Sequence, residues 1–80
     1  MEYYMDMIKV LHMQLEIVKK GFILAVKEIV QPMAEDIKNV DLINKGASDV
    51  RAACEAYDLL VDDIKDRLDD TERKLHELEQ

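Results

Sequence analysis

From Val50 to Leu78 the chain repeats a seam residue at alternating steps of four and three: Val50, Cys54, Tyr57, Val61, Ile64, Leu68, Thr71, Leu75 and Leu78. Thr71 is the one polar member. A second stripe of the same period, Tyr4, Ile8, Leu11, Leu15, Val18, Phe22, Ala25 and Ile29, fills the first half. A seam of this spacing stays on one side of an α-helix and seats its side chains between those of a facing helix. With two Gly and one Pro in 80 residues, little is left for sheet, and the expected fold class is all-α.

Eighty residues make a single domain, residues 1–80. A chain of this size buries only about 60% of its unfolded surface, so a lone core is marginal unless something reinforces it. Cys54 is the only cysteine, which excludes an internal disulfide, and no Cys/His cluster marks a structural metal. Regular helix packing and oligomerisation remain.

The clearest punctuation is Asn44-Lys45-Gly46-Ala47-Ser48-Asp49. Gly46 suits the left-handed position that ends a helix, Ser48 suits an N-cap, and Asp49 suits the positive end of the next helix dipole. This predicts an antiparallel helical hairpin with a helix over 3–45, a turn at 46–48 and a helix over 49–79. Facing residue numbers then sum to about 94, which sets Cys54 against Val40, Tyr57 against Ile37 and Leu68 against Val26. Pro32 has no amide donor and crowds the carbonyl of Glu28, so a kink is expected near 28–32 rather than a new helix starting there. The first arm is then the longer, and its overhang, residues 1–11, is too apolar to stand alone in water. The stretch 22–30 is apolar nearly all round, which calls for burial on more than one side. Both features predict docking of two hairpins into a four-helix bundle through Tyr4, Met7, Ile8, Leu11, Leu15, Phe22, Ile23 and Leu24.

The net charge is −7, and it is uneven. Residues 1–45 carry six Lys against seven Asp or Glu, whereas residues 46–80 carry five Lys or Arg against eleven acids. Nucleic-acid backbones and anionic membranes repel such a surface, so neither is an expected partner. The longest lipid-like run, Gly21-Phe22-Ile23-Leu24-Ala25-Val26, falls far short of the roughly twenty residues a span requires. Glu2 and Asp6 stand where a secretory signal would be basic. The expected compartment is the cytoplasm, with export lacking a cleavable signal peptide as the alternative.

Residues that could carry chemistry have simpler roles. The acidic run Asp62, Asp63, Asp66, Asp69, Asp70, Glu72 lacks the Gly and the alternation of a calcium loop. Acid-first pairs four apart, Asp63–Arg67, Asp69–Arg73 and Asp70–Lys74, mark a solvated helix face instead. His12 and His76 lie too far out of register to share a metal. His76-Glu77-Leu78-Glu79 lacks the second His of a zinc-protease helix. Cys54 sits on the seam, where apolar surroundings leave a thiol inert. Four of the five Met fall within residues 1–13, a composition equally suited to core packing and to an adaptable contact surface. No catalytic residue, cofactor or metal ligand is expected.

One stretch, Glu28-Ile29-Val30-Gln31-Pro32-Met33-Ala34-Glu35 followed by Lys38 and Asp41, resembles a helical segment of the small Trp-x-Gly hairpin proteins of the type VII secretion pathway. In that family the turn carries Trp-x-Gly and a Tyr is followed four residues later by an acid. Here the turn pattern retains only Gly46, and Tyr57 is followed at that distance by Val61. The resemblance implies a dimerising hairpin associated with secretion and carries over no functional residue. The function expected is thus a non-enzymatic helical interaction protein that pairs with itself or docks on the helices of a larger protein. The alternative is an acidic inhibitor or nucleic-acid mimic that occupies a basic groove.

Overall fold

The computed structural model describes residues 2–79, which form two α-helices, α1 (Glu2–Glu35) and α2 (Val40–Glu79), joined by residues 36–39. The helices run antiparallel as a hairpin measuring 62 × 15 × 11 Å. That length is what a forty-residue helix gives at about 1.5 Å per residue.

The connection lies ten residues earlier than the Gly46-Ser48 punctuation predicts. Pro32 sits inside α1, which passes through it and stops one turn later at Glu35. Its ring leaves the Glu28 carbonyl without an amide donor and weakens that last turn. The Asp36 N–H donates to the Pro32 carbonyl at 3.2 Å, and the chain then turns. Asn39 caps the next helix: its Oδ1 accepts from the Leu42 N–H at 3.1 Å, and its Nδ2 donates to Asp36 Oδ2 at 3.3 Å. The boundaries 3–45, 46–48 and 49–79 are corrected accordingly. Gly46 is buried in the second turn of α2 with ordinary helical φ, and Ser48 and Asp49 are exposed helix residues.

The new turn resets the register. Met7 meets Thr71, Phe22 stacks on Tyr57 with centroids 4.4 Å apart, and Met33 covers Gly46. Facing numbers therefore sum to 78 or 79. Ile37 and Val40, expected in the seam, lie at the turn with 73% and 67% of their surface exposed. The faces themselves are those the stripes predict. Every member of the first stripe is buried or half-buried, and every member of the second except Leu78.

Leu11, Ile64 and Leu68 form the dry centre, with Met7, Ile8, Leu15 and Val18 packed around them. Thr71, the polar member of the seam, is 5% exposed. Its hydroxyl donates back to the Arg67 carbonyl at 2.7 Å and touches the Met7 sulfur at 3.6 Å. A hydroxyl satisfied within its own helix can sit in an apolar seam at little cost.

Candidate interaction surface

The register settles where the eight predicted interface residues lie. Leu11 is buried against Ile64 and Leu68. Met7, Ile8 and Leu15 pack against that centre, Tyr4 is half-buried, and Phe22 is stacked on Tyr57. All six are occupied by the chain's own second helix. The apolar overhang is thereby corrected: α2 continues to Glu79 and covers the α1 segment that was expected to project. Met1, which belonged to that overhang, lies outside the described residues. Only Ile23 and Leu24 point away from the seam, 45% and 60% exposed.

What remains uncovered is a different row. Tyr3, Val10, Ile17 and Leu24 recur every seven residues, each one position before a seam residue (Tyr4, Leu11, Val18, Ala25), and are 67%, 49%, 66% and 60% exposed. Seven residues is nearly two helical turns, so the row runs down one side of α1. On that side the two helices leave an open groove of about 330 Å³, lined by Val18, Gly21, Phe22, Ala25, Ala53, Ala56, Tyr57 and Leu60. Its walls are apolar, its floor is the Phe22–Tyr57 stack, and it is wide because Gly21, Ala25, Ala53 and Ala56 are small. A β-carbon added to Gly21 would meet nothing within 4 Å. The seven-residue recurrence was legible in the sequence. The contribution of α2 was not, because only the true register sets Ala53, Ala56 and Leu60 at the height of Gly21 and Ala25.

Towards the open end of the hairpin the same side becomes mixed, with Arg67, Asp70 and Lys74 beside Met7, Val10 and Leu11. A cleft there is edged by Tyr3, Tyr4, Gln14, Arg67, Asp70 and Lys74. Arg67 pairs with Asp63 at 3.2 Å and Lys74 with Asp70 at 3.1 Å, as the spacing predicts. Arg73 takes the other oxygen of Asp70 in place of Asp69, so one carboxylate bridges two cations. The Lys74 hydrogen bond holds the Asp70 carboxyl below the usual carboxylate range, and the same bond raises Lys74. Both stay charged across the neutral range. Exposed pairs of this kind add little stability, and with its cations matched to acids the cleft is no anion trap.

His12 lies level with residues 66–67 of α2 and His76 level with residues 2–3 of α1, so the two are at different heights along the hairpin. Among the described residues, no three His, Cys, Asp or Glu side chains gather as a metal would require. Cys54 is half-buried in the seam. Among the described residues, no helix is long and apolar enough to cross a membrane. Gly46, the residue that matched the Trp-x-Gly turn, lies inside α2. The chain matches no protein-family model, no curated protein and no solved structure.

Proposed function

We propose that this chain is a non-enzymatic helical interaction protein that docks through the groove side of the hairpin onto helices of a second copy or of a larger partner. The observation that carries the reading is the exposed pair Ile17 and Leu24, continued by Val10 towards the open end, beside an apolar groove floored by Phe22 and Tyr57. Contiguous apolar surface of this kind, rimmed by charge, marks an interaction site on a water-exposed protein. Side chains at seven-residue spacing are what a facing helix accepts. A secretion-associated role is the narrower form of this proposal, and the stretch Glu28–Glu35 is its support.

The test is the double substitution Ile17→Asp with Leu24→Asp. Both side chains project from the hairpin, so helical content should be unchanged. Wild-type protein is expected either to exceed the 9.3 kDa chain mass in light scattering or to bind an apolar dye, and the variant to do neither. Equal mass and equal dye response in the two proteins would overturn the reading.

A further inference from the structure

We infer that the groove is filled by a second copy of the chain, docked antiparallel across Gly21 so that Ile17 of each copy meets Leu24 of the other. This rests on the docking reading above and narrows it to one partner.

Area is the first argument. The hairpin exposes 6315 Å², whereas a compact monomer of its mass exposes about 5,000 Å². The surplus, about 1,300 Å², exceeds the roughly 800 Å² that each partner contributes to a standard interface. Among the described residues only Leu11, Ile64 and Leu68 are apolar and buried, so one hairpin has a thin core. A copy of itself supplies a second.

Gly21 is the second argument. It stands in the middle of a 34-residue helix with no positive φ and with open space where a side chain would be. Nothing within the hairpin requires glycine there, and Ala would favour the helix. A helix backbone passing close over this point does require it. Ile17 and Leu24 stand about one turn to either side, so a two-fold axis through Gly21 sets Ile17 of each copy level with Leu24 of the other. A symmetric interface demands that reciprocity, residue i on j and j on i.

Charge sets the direction. Residues 2–20 are balanced, and residues 58–79, which lie beside them at the open end, carry nine acids against four bases. The turn end, residues 21–57, carries six acids against four bases. Parallel docking stacks one strongly acidic end on the other. Antiparallel docking sets the centres of the two acidic segments about half the 62 Å length apart, well beyond the screening length of about 8 Å at physiological salt.

Light scattering on wild-type and Gly21→Leu chains tests this over a hundredfold concentration range. Wild type should weigh twice 9.3 kDa and the variant 9.3 kDa, with undiminished helical signal because the leucine enters open space. Ile23→Asp, on the opposite side of α1, should remain dimeric. In a Cys54→Ser background, mixing Ile17→Cys chains with Leu24→Cys chains should give disulfide-linked pairs, and neither chain alone should. A wild-type monomer that binds apolar dye would overturn self-docking while leaving the docking face in place. A dimer that survives Gly21→Leu but dissociates in Ile23→Asp would overturn the assigned face. Cross-linking of each single-cysteine chain with itself would overturn the antiparallel direction.

Discussion

A β-carbon on Gly46 would fall on the Met33 thioether, with Met33 Cγ at 2.8 Å and Cε at 3.1 Å. The glycine is therefore a hollow that lets the methionine lie flat against α2 just below the turn. Two effects compete on substitution. Alanine gains about 1 kcal/mol of helix propensity, but it evicts a half-buried methionine, and crowding a packed seam costs about 1–3 kcal/mol. Gly46→Ala should therefore destabilise the wild-type hairpin by roughly 1 kcal/mol in a denaturant titration. In a Met33→Ala background the hollow is empty and the same change should stabilise by up to about 1 kcal/mol. The same sign in both backgrounds would refute the contact. Gly21 is its opposite within the hairpin, open where Gly46 is filled, and the two glycines have unrelated reasons to be there.

At the scale of the elements, the stripes identify the faces and leave the register open. A seam that repeats every seven residues looks the same after a slide of one heptad, so the two stripes match apolar to apolar in more than one alignment. The expected sum of 94 and the observed 78 or 79 differ by about two heptads, and both bring seam to seam. The turn breaks the tie. Gly46-Ala47-Ser48 has the residue types of a helix stop and an N-cap, but a helical glycine costs only about 1 kcal/mol, and continuing α2 back to Val40 adds Leu42, Ile43 and Gly46 to the packed face. The operative signals are quieter: Pro32 weakening the end of α1, and the Asp36–Asn39 hydrogen bond closing the turn. Asn39→Ala should cost about 1 kcal/mol, lowering Tm by about 4–8 °C for a domain of this size. Ser48→Ala should leave Tm unchanged or slightly raised, because Ser48 is an exposed helix residue. The reverse pattern in thermal melts would return the turn to residues 46–48.

For the whole molecule, shape and charge act together. The radius of gyration, 18.2 Å, is well above the roughly 12 Å of a compact chain of this length. A rod this thin has two long sides, and the proposed dimer takes one of them. The acids crowd α2, so self-association brings two chains of net charge −7 together against their own repulsion. Salt relieves that repulsion: the dimer should tighten by a few-fold between about 20 and about 200 mM salt, measured by sedimentation. An acidic mimic seated in a basic groove would loosen over the same range.

Two helices, the apolar face of each, and an α1 too apolar for one partner helix to cover are all written in the chain. Those properties belong to residue type and period, and a helix carries its period wherever it is placed. Which residues face each other, and with that which apolar side chains the hairpin consumes, follows from the fold alone. Tyr4, Met7, Ile8, Leu11, Leu15 and Phe22 went inward because α2 begins at Val40 and is long enough to reach them. Ile17 and Leu24 stayed outside on the side of Ala53, Ala56 and Leu60, and Val10 stayed outside beside Arg67 and Asp70. A groove shared by two helices exists only once their register is fixed. A heptad pattern matches itself in more than one register, and the four residues of the turn selected one.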